Sequence, residues 1–406
     1  MDSDVDVVIA GGGLVGSSLA IALDGCGLSV ALIEAAAPRV DAQPSYDERN
    51  LALARASVNA LTALGVWPHV AARAVPIRRV HVSRAGEFGA LRLDAHSQGV
   101  DALGAVIPAR ELGNGLLRQL DACTTLQRRA PASVKAITHE GGRVAVHIAG
   151  ADGEETLRAR LVVGADGTAS FVRRANGIGT QEHDYGQTLI VTTVTPERAL
   201  DGGAVERFSD LGPVALLPLA DRRAGLVLSI TNDRAAQVAE MDDAAFIAYA
   251  QERVGWRVGR LTRPGRRQAH PIRRVLADAL TAPRTVLVGN AAQTIHPIGA
   301  QGFNLGLRDA LTLAERVIAA ARAGGDPGSS ALLADYSDAR QQDRAGTLAF
   351  SDGLVRLACN PAAPLKPLRT LGLLLMDGFK PLKDAVARRG MGFRGTPTVY
   401  ALGRRP

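Results

Sequence analysis

Three stretches of the chain put glycines and small polar residues where a strand would end, and each can present backbone N–H groups to an anionic ligand. The first is Gly11-Gly12-Gly13-Leu14-Val15-Gly16, directly after the largely β-branched run Val5-Asp6-Val7-Val8-Ile9-Ala10. This is G-x-G-x-x-G in a strand-to-helix setting. Gly11 permits the tight turn, Gly13 lets the backbone approach a pyrophosphate, and Gly16 allows a helix over 14–24 to pack closely on the strand. A second strand, Ser29 to Ile33, ends on Glu34, which is 34 − 16 = 18 residues past the last glycine. An acid at that distance accepts hydrogen bonds from ribose hydroxyls. The chemistry is dinucleotide binding, and the motif alone does not say which dinucleotide.

The second stretch, Leu161 to Arg173, carries Asp166-Gly167. The third, Val286 to Asp309, carries Gly289-Asn290 and then Pro297-Ile298-Gly299-Ala300-Gln301-Gly302-Phe303-Asn304. Both read as a buried strand running into a glycine turn and then a helix, with the third helix starting near Phe303. The positive end of that helix would face whatever the turn holds. His296 lies beside Pro297, where a structural role is as good an account as acid–base work, and it is assigned no catalytic role. The histidines at 69, 81, 96, 139, 183 and 270 form no metal spacing, and no metal site is expected. No residue stands out as a nucleophile.

With the three motifs in this order and spacing, the chain resembles the single-component FAD-dependent aromatic hydroxylases, and within them the hydroxylases of ubiquinone biosynthesis. The likeness spans nearly the whole sequence. It implies FAD as the cofactor, with Gly11, Gly13, Leu14, Val15, Gly16 and Glu34 at its adenosine diphosphate end. Arg49 and Arg110 match family arginines that contact FAD, Arg49 at the pyrophosphate, although Gly113 replaces the leucine usual in the Arg110 pattern. For Arg49 the residues alone leave open a surface ion pair with Asp47 and Glu48. Val134 is a further implied contact. Asp166 and Gly167 fall near the flavin and the path of the pyridine nucleotide. Gly289 and Asn290 fall at the ribityl chain, and Pro297, Gly299, Gln301, Gly302, Phe303 and Asn304 fall around the isoalloxazine ring. Asn290 stands where most of the family has aspartate, keeping a hydrogen bond but losing a charge. Gln293 stands where many have histidine, and both departures point to the ubiquinone branch.

The reaction the resemblance implies is hydroxylation of the aromatic ring of a polyprenylated phenol, with NAD(P)H as co-substrate and O2 captured as a flavin C4a-hydroperoxide. Two alternatives stay open. One keeps the fold but hydroxylates another phenol or reduces a prenyl chain. The other is a flavin-bound scaffold subunit of a quinone-synthesis complex.

The elements that must position these residues make an α/β fold. A Rossmann-like FAD-binding domain is assembled from 1–75, 100–180 and 275–350, and a mostly antiparallel β-sheet substrate domain is inserted as 76–99 and 181–274. Strands are expected over 188–195, 204–208, 214–219 and 225–231, and helices over 242–254 and 305–323. A helical C-terminal region follows over 351–406. Within it, 366–389 mixes leucines with lysine and arginine, suited to a membrane surface or a partner protein and equally to a helix pair covering the core. With 406 residues, 47% of them hydrophobic, the chain can fill sizeable cores. Its net charge of +7 is spread along the sequence and, with 4% aromatic residues, favours phosphate ligands over nucleic acid. Cys26, Cys123 and Cys359 lie far apart with no C-x-x-C pair, so a cytoplasmic protein without disulfides is expected, peripheral to the membrane at most. Homo-oligomerisation is left open.

Overall fold

Val5, Val7, Val8 and Ile9 are each at most 2% exposed, which a strand achieves only with neighbours at both edges and cover on both faces. In the computed structural model, which describes residues 2–37, 49–151, 153–358, 360, 362 and 365–406, the Asp2–Ala10 strand has both. It lies parallel to Val30–Ile33 on one side and to Gly153–Gly164 on the other. Leu126–Arg129 and Thr285–Leu287 extend the parallel order outward. A short antiparallel strand, Thr281–Ala282, and a hairpin, Ala132–Glu140 with Arg143–Gly150, complete an eight-stranded sheet. Leu14–Leu23, Ala109–Asp121 and Gln301–Arg322 are the helices that pack around the first crossover. Asp47 and Glu48, the alternative partners of Arg49, and Cys359 lie outside the described residues.

A nine-stranded sheet stands beside this core. Three of its expected strands form at Gly203–Phe208, Val214–Pro218 and Ala224–Thr231. The fourth is longer than expected, running Thr180–Pro196, because a register shift between Asp184 and Gln187 lets it keep pairing with Gln268–Ala277. The charged residues before that shift hide the strand from an alternation pattern. All pairings are antiparallel except that of Gly203–Phe208 with Arg79–Arg84. A three-stranded sheet, Asn50–Ala54, Gly104–Pro108 and Val75–Ile77, lies between the two.

The expected helix over 242–254 is Asp243–Val254, capped by Asp242, whose side chain accepts from the Ala245 N–H at 2.8 Å. The helix expected over 305–323 begins earlier, at Gln301. The C-terminal segment forms two helices, Leu365–Gly378 and Lys380–Gly390, broken between Gly378 and Pro381. Among the described residues no helix is long and apolar enough to cross a membrane.

Candidate cofactor and active site

Ala10, Gly164 and Leu287 end three adjacent parallel strands and are register partners across them. The three glycine-bearing turns therefore leave the sheet side by side, at its carboxyl edge, where open α/β sheets bind ligands. In the first turn Gly11 has φ +104°, and a Cβ there would lie 2.5 Å from the carbonyl oxygen of Ala165 in the second turn. Only glycine fits that conformation and that contact. A Cβ on Gly16 would lie 1.9 Å from the Gly11 oxygen, so the helix sits directly on the turn. Gly13 differs, because a Cβ there would meet no atom within 4 Å. It caps Leu14–Leu23 and presents open backbone at the helix N-terminus.

Glu34 closes this end. One carboxylate oxygen accepts from the Gly12 N–H at 2.7 Å and the other from the Ala36 N–H at 2.9 Å. With Gly12, Leu32, Leu117, Leu120, Arg128 and Ala130 it lines a narrow cleft. Val134 is partly buried nearby, on the strand whose first residue, Ala132, donates its N–H to the Glu34 carbonyl at 2.8 Å. Leu14 packs against the core, and Val15 fills the space next to Gly289 and Gly306. Val15 thereby fixes the distance between the first and third turns. Arg49 is exposed, and its carbonyl accepts from the Ala109 N–H at 2.8 Å, so the backbone brings it beside Arg110 in the first turn of Ala109–Asp121.

In the second turn the Asp166 carboxylate is directed at its own chain. It accepts from the Ser170 hydroxyl at 2.5 Å and from the Val172 N–H at 3.0 Å. Gly167 beside it leaves open space where a side chain would be. Arg173, 5% exposed, ties this turn to the third by donating to the carbonyls of Ala291 at 2.8 Å and Thr168 at 2.9 Å. The hydroxyls of Thr168 and Thr294 add a second tie at 2.7 Å.

The third turn rests on a buried ionic network. Asp309 accepts from the Gly289 N–H at 3.2 Å, from Gln293 Nε2 at 2.5 Å and from Arg340 Nε at 2.7 Å. Burial pulls the Asp309 carboxyl upward, yet three donors, one of them the Arg340 guanidinium, surround it, the setting of an ionised carboxylate. Burial also works against Arg340, but Asp309 and Asp343 keep it charged. Asp343 is raised by burial and lowered more strongly by Arg308 and Arg340, which hold it at about 2. Gln293 is therefore a support of the Gly289 turn, whereas Asn290 is exposed at its tip.

In the loop that follows, His296 is 1% exposed, its Nδ1 accepts from the Ile298 N–H at 3.2 Å, and its ring meets Tyr185 edge-on. Those contacts suit a structural histidine. Pro297 precedes a short helical turn, Ile298–Ala300, in which Gly299 has φ +63° and accepts from Gln301 Nε2 at 3.0 Å. Gly302, in the first turn of Gln301–Arg322, has open space at its Cα, and Phe303 packs on the core. The Asn304 side chain, 2% exposed, accepts from Ala54 N at 2.9 Å and Ser57 Oγ at 2.7 Å and donates to the Ala52 carbonyl at 2.9 Å. It locks the helix start onto the small sheet.

Glu206 was given no role by its sequence, which shows only a charge in an otherwise strand-like run. Burial raises its carboxyl from the ordinary range to about 7. Arg173, Asp309 and Arg340 were also missed as supports. Arg173 and Asp309 end the two quoted motifs, whereas Arg340 meets Asp309 only through tertiary packing.

The turns fit a dinucleotide: an open glycine at a helix N-terminus, an acid and a cleft at one end, and an open helix start at Gly302 at the other. The profile of the FAD-binding-domain family matches residues 4–351. Ubiquinone hydroxylase UbiL of Rhodospirillum rubrum is 38% identical over 391 residues, covering 96% of this chain and 90% of its own. The 3-demethoxyubiquinol 3-hydroxylase of Escherichia coli K12 is 33% identical over 391 residues, covering 95% and 98%. In fold, p-nitrophenol 4-monooxygenase PnpA from Pseudomonas putida DLL-E4 superposes with a TM-score of 0.80 at 18% identity, covering 97% of this chain and all of that one. The chain belongs to the FAD-binding-domain family, and within it to the FAD-dependent ubiquinone hydroxylases.

Proposed function

We propose that this protein is an FAD- and NAD(P)H-dependent monooxygenase that hydroxylates the aromatic ring of a polyprenylated phenol in ubiquinone biosynthesis. The observation that carries the reading is the meeting of three glycine turns at one sheet edge, with the second sheet placed against the third turn. FAD, when bound, supplies electron transfer from NAD(P)H and the activation of O2. The chain's own work is to hold and orient. Gly11, Gly13, Leu14, Val15 and Gly16 with Glu34 hold the adenosine diphosphate end, assisted by Arg49, Arg110 and Val134. Asp166, Gly167, Gly289 and Asn290 face the middle of the cofactor. Pro297, Gly299, Gln301, Gly302, Phe303 and Asn304 form the ring loop, where the N-terminus of Gln301–Arg322 favours developing negative charge. We take 1–75, 100–180 and 275–350 as the cofactor domain, 76–99 with 181–274 as the substrate domain, and 351–406 as the helical region.

The test is to incubate the purified holoprotein with NADH or NADPH and a prenylated phenol. A product heavier by one oxygen is expected, and none from any prenylated phenol would overturn the reading. Prenyl-chain reduction would instead add hydrogen. A scaffold subunit would restore quinone synthesis in a deletion strain even as the flavin-free Gly13→Val variant, which a hydroxylase cannot do.

A peripheral membrane position is a second part of the reading, favoured by one surface. Of ten large apolar side chains exposed among the described residues, six lie between Leu368 and Leu382. The opposite side of this helix pair packs on Leu91 and Leu93, so the pair does cover core and still leaves an apolar stripe outside. Lys366, Lys380, Arg388 and Arg389 are exposed around it. Arg369 is not part of that rim, being buried against Glu87, which also binds Arg84. Insertion of the stripe would bury about 1.5–3 kcal/mol per leucine, with lysine and arginine meeting lipid phosphates. Flotation with anionic liposomes tests this, and protein that stays at the bottom of the gradient removes it.

A further inference from the structure

Nine of the ten large apolar side chains exposed among the described residues belong to segments that meet around one cleft. Six of them are the stripe from Leu368 to Leu382. Phe88, largely exposed, lines the cleft, and a Cβ on the adjacent Gly89 would touch Leu374 of that stripe at 3.5 Å. Trp256, also largely exposed, stands between two further lining residues, Val254 and Arg257. Leu211 is joined to the same helix end, its carbonyl accepting from Arg253 Nη2 at 3.2 Å. Apolar side chains from four separate stretches of chain thus share one neighbourhood, which marks an interaction surface.

The cleft itself, of about 400 Å³, is basic. Parallel pairing of Gly203–Phe208 with Arg79–Arg84 sets Val205 beside His81 and Arg207 beside Ser83, so one sheet face supplies four of its side chains. Arg207 Nη1 donates to the Val254 carbonyl at 2.9 Å, at the end of the helix Asp243–Val254. Gly255 makes room for it, since its φ is +78° and a Cβ there would lie 1.7 Å from that nitrogen. A guanidinium has five N–H donors, and this single bond leaves Arg207 most of them. Arg257 is exposed at the rim. Glu87, the acid in the lining, is buried against Arg84 and Arg369, and Asp210 also binds Arg84. Among the described residues neither Arg207 nor Arg257 has such a carboxylate partner. The surplus of positive charge is felt at His81, whose imidazolium is lowered to about 4 by burial and then by Arg257 and Arg92. Its Nδ1 meets no hydrogen-bond partner among the described residues.

We infer that this cleft holds the phosphate of an anionic phospholipid between Arg207 and Arg257. This rests on the peripheral membrane position proposed above and names the lipid chemistry that the surface recognises. Planar guanidinium groups pair with phosphate oxygens two at a time, and the neutral His81 ring adds one donor. A soluble phosphate would need these cations alone. The apolar rim is what a lipid uses, because Phe88 and the leucine stripe give its acyl chains a path from the cleft into the leaflet. Trp256 has the amphipathic ring that settles at the boundary between head groups and chains.

The probes are vesicles of phosphatidylcholine, with or without an equal part of phosphatidylglycerol, and dihexanoylphosphatidylglycerol kept below its micelle concentration. All are added to the FAD-loaded full chain. Wild type should float with the phosphatidylglycerol vesicles and bind the soluble lipid in calorimetry. Arg207→Gln with Arg257→Gln should weaken soluble-lipid binding about tenfold or more while FAD content is kept. Arg257→Gln alone, at an exposed position, should weaken it in the same direction and serves if the double variant does not fold. Arg388→Gln with Arg389→Gln removes the same charge from the far end of the helix pair and should leave soluble-lipid binding within about twofold. Equal loss in the two pairs reduces the effect to net charge and overturns the proposal. Glycerol phosphate bound as tightly as the soluble lipid overturns it in favour of a soluble phosphate ester. Flotation that is equal with and without phosphatidylglycerol, or soluble-lipid binding unchanged in the cleft variants, overturns it and leaves the membrane position standing. A wild type that floats with neither vesicle overturns both.

Discussion

Gly13 and Gly16 are three residues apart and lack a side chain for different reasons. A methyl at Gly16 would collide with the Gly11 carbonyl at 1.9 Å, so Gly16→Ala should cost about 1–3 kcal/mol or more in stability, measured by urea unfolding of the apoprotein. A side chain at Gly13 meets no protein atom, and its backbone, at φ −67° and ψ −174°, is open to any residue. Gly13→Val should therefore unfold within about 0.5 kcal/mol of wild type while its FAD dissociation constant rises tenfold or more. Equal FAD affinity in Gly13→Val would remove this glycine from the cofactor site. Glu206 leaves a different trace. Its carboxyl is raised from 4.5 to about 7 on folding, so between those values the folded state holds a proton that the unfolded chain has released. Stability must then fall as pH rises through this window. Glu206→Gln removes that slope, and its midpoint of thermal unfolding relative to wild type should climb between pH 5 and pH 8, by the equivalent of roughly 1–3 kcal/mol.

At the scale of elements, the Gly289 turn is held by helices that come after it in sequence. Gln301–Arg322 carries Asn304 at its start and Asp309 two turns in, and Ser330–Ala358 brings Tyr336 and Arg340 against the same strand end. Removing one partner of such a buried pair leaves an uncompensated charge. Arg340→Met should lower stability by about 3–5 kcal/mol and weaken FAD binding as the Gly289 turn loosens. The double variant Asp309→Asn, Arg340→Met should recover part of the stability, since neither charge then remains. If both variants unfold at the wild-type midpoint, the network does not support the turn.

For the whole molecule, the substrate on the proposed reading carries a long apolar tail. The stripe from Leu368 to Leu382 lies on helices that also pack against the edge of the nine-stranded sheet. Leu371→Glu with Leu375→Glu puts two charges into the stripe without entering the core, because both side chains are about half exposed. Liposome flotation should be lost in this double variant while hydroxylation of a short-chain phenol in detergent-free buffer is kept. Loss of short-chain activity as well would place these leucines in the fold and not at a membrane.

The N-terminal unit was legible in the sequence because its requirements are local: Gly11, Gly13, Gly16 and Glu34 satisfy a turn, a helix start and an acid bonded to the turn at fixed spacings, whatever the rest of the chain does. The second and third turns were legible for the same reason, as were the strands at 203–208, 214–218 and 224–231. Tertiary structure alone decided which side chains face a ligand and which brace the turns. Asn304, placed by resemblance at the ring, has its amide bonded to Ala52, Ala54 and Ser57, and Asp166 is turned onto Ser170 and Val172. Arg340 finds Asp309 across 31 residues. Spacing along the chain carries the geometry of a backbone turn, whereas the burial that sets a carboxylate's charge comes only from elements distant in sequence.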